Sequence, residues 1–346
     1  MGGAGVSLVF DILGLVVIAL AGLTLIWFVR EKFLRASHPV KGGRHEGVVL
    51  PHDAPLELYA NPFSHCSRKV TLAMAEYGLA FRYRQIELIE TGWYQTISPA
   101  FLKINPAGLL PVLVHDGVPI FESDEILDYL GNLGTGDPLV PEEAEARARM
   151  QQWIAFCGIS SDDPMGKIAT HAGACIPGLT LPIFATMVQD IKIRHILVGI
   201  LFHPDKKRPG FFLAARGMGL AKILKSGPAP ALIRASRDAM RVHLQTINKS
   251  LEQSDGPWIM GSQLTLADIS LAAIYIRLDE TGWLDWFMQS DDLAAIAAHY
   301  KGWQARPSWQ KAVTERRLDI IDAGRARLAE ALASSAEIKS ILHGAS

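Results

Sequence analysis

The chain has 346 residues, room for two domains with separate cores. Charged residues make up 20% and apolar residues 49%, which excludes a disordered chain, and a formal net charge of −1 gives no reason to expect nucleic acid as a partner. The cysteines Cys66, Cys157 and Cys175 are widely spaced, with no C-x-x-C pair, so neither a disulfide framework nor a dithiol cycle is expected and a reducing compartment fits.

From Val6 to Val29 the chain is almost wholly apolar, including Leu13, Val16, Val17, Ile18, Leu20, Leu23, Leu25 and Ile26. About 20 apolar residues cross a hydrocarbon core, so this run can span one. Asp11 sits near its entry end, and Trp27 and Phe28 lie at the opposite interface, where aromatics are favoured. A cleaved signal peptide is the rival reading, but it calls for positive charge before the run. Here Arg30, Lys32, Arg35, Lys41 and Arg44 follow it. The positive-inside rule then turns the remainder to the cytoplasm, at a bacterial inner membrane in preference to an organelle membrane. Residues 1–35 are therefore expected to be a single transmembrane anchor, with membrane lipid as a partner. Residues 36–55, with Ser37, Pro39, Gly42, Gly43, Gly47, Pro51 and Pro55, read as a linker.

Residues 56–135 read as an α/β domain. Leu56, Leu58 and Tyr59 predict a strand, Arg68 to Tyr77 a helix stopped at Gly78, and Phe81 to Leu88 a second strand. Val112-Leu113-Val114 and Val118-Pro119-Ile120-Phe121 flank His115-Asp116-Gly117, a hairpin with an Asp-Gly turn. Asp124 to Leu133 predicts a further helix.

Three places carry chemistry. Ser64, Cys66 and Ser67 lie where a strand turns into a helix, and free N–H groups there favour an anion. The plainer reading of Ser64 is an N-cap. Pro111, after Leu110, opens a strand and is a candidate cis proline that would present the Leu110 backbone to a ligand; an ordinary trans loop proline is the alternative. Ser123, after Glu122, can cap a helix and offer its N–H groups to a carboxylate, or be a cap and nothing more.

The order and spacing of these places say more than each alone. Ser64-x-Cys66-Ser67-x-Lys69-Val70, Asn105-Pro106-x-Gly108-x-x-Pro111-Val112-Leu113 and Glu122-Ser123-x-x-Ile126-x-x-Tyr129-Leu130 resemble the N-terminal, thioredoxin-like domain of cytosolic-type glutathione transferases. The Ser64-His65-Cys66 turn is most similar to the serine/cysteine classes, zeta especially. The resemblance implies that Ser64 hydrogen-bonds the glutathione thiolate and that Cys66 matches a nearby active-site cysteine. It implies further that Leu110, before cis Pro111, pairs with the cysteinyl backbone, and that Glu122 and Ser123 hold the γ-glutamyl end. Many members carry Lys, Gln or His two residues before the cis proline, for the glycyl carboxylate; here that residue is Leu109. His52, Lys103 and the Trp93-Tyr94 stretch are candidate substitutes.

Residues 141–330 read as an all-helical domain. Its first helix, Pro141 to Gly158, opens on Glu142, Glu143 and Glu145, as the helix dipole prefers. Thr265 and Asp268 have capping-box spacing, and the same family carries such a box at a buried helix. The resemblance covers roughly 56–158 and 236–315. Between them lies a long insert, about 159–235, whose Pro177, Pro182, Pro204, Pro209, Pro228 and Pro230 exclude one continuous helix. It contains the apolar run Ile196–Phe202, flanked by Lys192, Arg194, Lys206, Lys207 and Arg208. Either a membrane interface or a core helix pair with solvated charges accounts for that pattern. His171, His195 and His243 have no metal spacing, and no metal is expected.

The expectation is an enzyme with glutathione as cosubstrate, conjugating or cleaving a hydrophobic electrophile in a detoxifying reaction, with Ser64 stabilising the thiolate. A catalytically weak, membrane-tethered scaffold of the same fold is the alternative. Thiol transfer or reductive cleavage through Cys66 is a further one. A homodimer is possible in such a fold.

Overall fold

A computed structural model describes residues 3–133, 138–159, 166–290 and 292–344. The chain opens with a long helix, α1 (Gly3–Leu34), whose side chains from Phe10 to Trp27 all face outward. The expected domain end at 135 and the insert residues 160–165 lie outside the described residues.

A mixed five-stranded sheet follows, built from β1 (Gly43–Arg44), β2 (Leu56–Ala60), β3 (Arg82–Gln85), β4 (Val112–His115) and β5 (Val118–Phe121) in the order β1-β5-β4-β2-β3. Only β2 and β3 are parallel, joined through α2 (His65–Glu76). The hairpin β4–β5 turns through Asp116 and Gly117, both at positive φ. Gly117 has no room for a side chain there, since a Cβ would meet His52 and the Leu50 carbonyl. Helices α3 (Pro99–Leu102) and α4 (Ser123–Leu133) complete this thioredoxin-like unit.

The local expectations shift by a few residues. Helix α2 starts at His65 rather than Arg68, because Ser64 caps it. The strand expected over Phe81–Leu88 shortens to β3, the four residues that pair with Glu57–Ala60. The stretch 36–55 is not a free linker: Gly43 pairs with Phe121 and Arg44 with Ile120, covering the outer edge of β5. An open strand edge invites pairing with another chain, and two residues here close it. Leu50 then tucks under the sheet beside Phe101, Val112, Val114 and Phe121.

The second part is helical: α5 (Ala144–Cys157), α6 (Ala172–Met187), α7 (Ile193–Phe202), α8 (Lys207–Met218), α9 (Leu220–Ile223), α10 (Ala229–Glu252), α11 (Leu266–Glu280), α12 (Trp283–Ser290), α13 (Ala294–Gln304), α14 (Pro307–Trp309), α15 (Asp319–Ser334) and α16 (Ala336–His343). Helix α5 begins at Ala144, not Pro141, with Glu143 as its N-cap. Helix α11 is buried on almost every side, so it needs its N-terminal N–H groups satisfied internally. The Leu266 N–H donates to the Leu139 carbonyl at 3.0 Å, and Asp268 accepts from the N–H of the N-cap Thr265 at 2.9 Å and from the Ile259 N–H of the preceding loop at 2.7 Å.

Among the described residues the insert holds four helices, with α10 beginning at its end. Pro204 separates α7 from α8, and Pro228 caps α10. Pro177 and Pro182, by contrast, sit inside α6. Packing against α10, α11 and α15 holds that helix together where local propensity would break it. It is the second apolar helix long enough to cross a membrane, and it is mostly buried in the core.

Candidate active site

The site begins where β2 ends. Asn61 folds the turn, accepting from the Phe63 N–H at 2.8 Å and donating to the Ile86 carbonyl at 2.9 Å. Ser64 follows at the N-cap of α2, its hydroxyl oxygen accepting from the Ser67 N–H at 3.3 Å. That bond uses a lone pair and leaves the single O–H proton free to donate. The plain capping reading and the functional one therefore coexist in Ser64.

His65 is buried, and burial, with Lys69 and Arg277 nearby, holds its imidazole down to about 3. It is neutral at physiological pH, with Nε2 3.4 Å from the Cys157 carbonyl. Cys66 is half-buried. Burial pushes its thiol up, while the Lys69 ammonium and a hydrogen bond with Ser123 pull the other way without cancelling it. Lys69 itself is buried and paired with Asp124. A lowered thiol, as the helix N-terminus alone would favour, is not what the surroundings produce.

The Leu110–Pro111 peptide is cis. Asn105 donates to the Leu109 carbonyl at 2.8 Å and fixes the loop before it. The Leu109 side chain is 54% exposed. Glu122 has φ +65°, a left-handed conformation that turns the chain from β5 into α4. Ser123, the first residue of α4, is buried against Cys66.

A cavity of about 930 Å³ lies between this unit and the insert. Ser64, Cys66 and Leu110 line it; Pro111, Glu122 and Ser123 are not among its lining residues. Its opposite wall is apolar, with Ile176 and Phe184 of α6 and Phe211, Phe212 and Met218 of α8. Of the candidate glycyl clamps, Tyr94 lines the cavity, whereas His52, Lys103 and Trp93 are not among its lining residues.

Two features escape a reading of the sequence. Arg208, expected in a solvated basic rim, reaches into the cavity wall and pairs with the buried Glu90, Nε to Oε1 2.6 Å. Arg277, the lone arginine of α11, lies 4.1 Å from the Phe63 ring centroid and donates to the Phe63 carbonyl. A charge within the otherwise apolar stretch 271–278 is the signal that singles Arg277 out. Among the described residues no three His, Cys, Asp or Glu side chains gather as a metal site.

Residues 63–133 match the model of the glutathione S-transferase N-terminal domain, and residues 234–312 that of the glutathione S-transferase C-terminal domain. Two segments of the chain thus match glutathione S-transferase domains. It is similar to FtsZ-localized protein A of Caulobacter vibrioides, 26% identical over 268 residues, 75% of this chain and 91% of that protein. It is 36% identical to Glutathione S-transferase 1 of Dianthus caryophyllus over 114 residues, 33% of this chain and 50% of that one. Among solved structures, the beta-etherase LigF of Sphingobium sp. strain SYK-6 matches 76% of this chain and 98% of its own with a TM-score of 0.55 at 22% identity. The thioredoxin-like sheet and helical second domain are thus the transferase fold, and the chain is a glutathione S-transferase-like enzyme.

Proposed function

We propose that the chain is a membrane-anchored glutathione-dependent transferase acting on a hydrophobic electrophile, with Ser64 stabilising the thiolate. The observation that carries this is the placing of the Ser64 hydroxyl, its proton free, on the wall of a cavity otherwise lined largely by aliphatic and aromatic side chains. Glutathione supplies the nucleophilic sulfur. The Ser64 O–H donates to that sulfur and, with the N-terminus of α2, favours its anionic form. The thiol proton leaves to solvent, the thiolate forms a carbon–sulfur bond, and the leaving group departs with its electron pair. The Leu110 backbone would pair with the cysteinyl part, and Glu122 and Ser123 would hold the γ-glutamyl end at the start of α4.

Cys66 lines the same cavity as Ser64, but its raised thiol argues against thiol transfer through it. A second reading, a weakly catalytic scaffold, draws on Leu109 in the glycyl-clamp position and on the likeness to FtsZ-localized protein A over most of that protein. For the anchor, the support is the outward-facing apolar run of α1 and the positive charges that follow it.

The test is glutathione binding by calorimetry on the full chain in detergent, with glutathione consumption using chlorodinitrobenzene as electrophile. Binding and turnover that depend on Ser64 are expected. Absence of binding overturns the enzyme reading in favour of the scaffold.

A further inference from the structure

Helix α7 has two faces. Ile196, Gly199 and Phe202 are buried, while Ile193, Leu197 and Leu201, one turn apart, are 51%, 43% and 45% exposed. The buried side fixes α7 against the end of α1. The Phe202 ring lies 6.0 Å from that of Trp27 and 5.6 Å from that of Phe28, with the Arg35 guanidinium 5.7 Å from it. Trp27 and Phe28 are the last aromatics before the charges Arg30, Glu31 and Lys32 begin. The apolar stripe of α7 is therefore held where the apolar run of α1 gives way to charge.

The charge around that stripe is mostly positive. Exposed Lys192 and Arg194 stand at its start, Lys206 and Lys207 follow its end, and Lys32 approaches Lys206. The nearby acids are engaged: Glu31 pairs with Arg35 at 2.8 Å, and Asp205 accepts from the Lys207 N–H at 2.9 Å. Trp93, 40% exposed, lies beside His195 of α7 with ring centroids 6.4 Å apart. Aliphatic side chains flanked by Lys, Arg and an exposed Trp are the composition of a helix lying in a lipid interface.

The cavity borders this region on two sides. His203, next to Phe202, lines it. So do Gly108 and Leu109, whose loop is bound to the chain leaving α1: the His38 N–H donates to the Pro106 carbonyl at 2.8 Å.

We propose that α7 is a lipid-docking helix, with Ile193, Leu197 and Leu201 seated in the headgroup–acyl boundary of an anionic membrane, so that the cavity rim meets the bilayer surface. This rests on the reading of α1 as a membrane-spanning helix.

The test uses the full chain, in a Cys66→Ser background, reconstituted in phosphatidylcholine vesicles with and without phosphatidylglycerol. An environment-sensitive fluorophore is placed on Leu197→Cys, on Leu201→Cys and, for comparison, on Val17→Cys in α1. Doxyl-labelled lipids carrying the quencher near the headgroup are expected to quench the 197 and 201 probes at least about twofold, and lipids carrying it deep in the acyl chain the 17 probe. Quenching should deepen with phosphatidylglycerol and weaken in Lys192→Gln/Arg194→Gln. A quenched 17 probe with unquenched 197 and 201 probes overturns the inference and leaves the anchor standing. If no probe is quenched, the anchor reading fails and the inference falls with it. Energy transfer between copies at 197 without lipid quenching overturns it in favour of a contact between two chains.

Discussion

Ser64 and Cys66 both line the cavity at the start of α2. Ser64, two residues earlier, caps α2 from the cavity side. The two candidate nucleophile-handling groups are nonetheless not interchangeable. Ser64 keeps a hydroxyl proton free to donate to a thiolate, whereas burial favours the protonated form of the Cys66 thiol.

This difference predicts unequal losses. Ser64→Ala removes a hydrogen bond made to developing negative charge, so kcat/KM should fall about 100-fold. Cys66→Ala should cost about tenfold less and act on glutathione KM more than on kcat. Steady-state kinetics with saturating electrophile separate the two. A larger loss for Cys66→Ala would return the chemistry to the cysteine.

The raised Cys66 thiol has a signature of its own. Because burial favours the protonated form, the reactive thiolate is scarce at neutral pH and grows with rising pH. Alkylation by iodoacetamide should be slow at neutral pH and still climbing above the ordinary thiol range of about 8.5, with no plateau below it. The measurement is mass-spectrometric labelling of the full chain, with Cys66→Ser as the blank. A plateau on the acid side would mean that Lys69 outweighs burial.

What was legible in the sequence is what neighbours along the chain decide. The Ser64 cap, the Asp116-Gly117 turn and the Thr265/Asp268 box each involve residues within a few positions, so their chemistry shows in the order of letters. Arg277 meets Phe63 across 214 residues, and Arg208 meets Glu90 across 118. Arg277 leaves a local trace only as an arginine in apolar company, and Arg208, in the basic run Lys206-Lys207-Arg208, leaves none. Gly43 and Arg44 are too few to alternate, so their pairing with β5 reads as linker until the strand edge they cover is seen. Pro177 and Pro182 sit within α6 because packing on three neighbouring helices outweighs the local penalty.

Arg277 ties the turn before α2 to the helical domain. Its guanidinium lies on the Phe63 ring, donates to the Phe63 carbonyl and pairs with Glu280 at 3.2 Å, while Glu280 also holds Arg68 at 2.7 Å. Arg277→Leu strands a buried carbonyl but leaves Glu280 its second partner, so a loss of about 3 kcal/mol is expected, the lower end for breaking a buried pair. Arg277→Lys keeps the charge and loses the planar fork, for about 1–2 kcal/mol. Thermal unfolding of the detergent-solubilised chain measures both. Equal losses would show that stacking and fork geometry contribute nothing.

Leu109 offers a gain-of-function test. It lines the cavity, is 54% exposed, and occupies the position where a polar residue would reach the glycyl carboxylate. A charged hydrogen bond is worth about 1.5–3 kcal/mol, so Leu109→Lys should lower glutathione KM by about tenfold or more. Electrophile KM should stay near its starting value. An unchanged glutathione KM would mean that another group already holds that carboxylate.

The last expectation concerns pH and strand β2. Glu57 is wholly buried in β2, and burial alone would raise its carboxyl. Hydrogen bonds from Arg84, the Asp53 N–H and Tyr59 reverse that and hold it at about 2. The folded value lies below the unfolded value of about 4.3, so the unfolded chain binds a proton first. The stabilisation is full above that unfolded value and disappears as pH falls through about 2. At one unit per 1.36 kcal/mol, Glu57→Gln should cost about 3 kcal/mol at neutral pH and almost nothing at pH about 2. Denaturant unfolding across that range gives two curves that converge at low pH. Curves that stay parallel would mean that Glu57 stabilises the strand by packing and not by its charge.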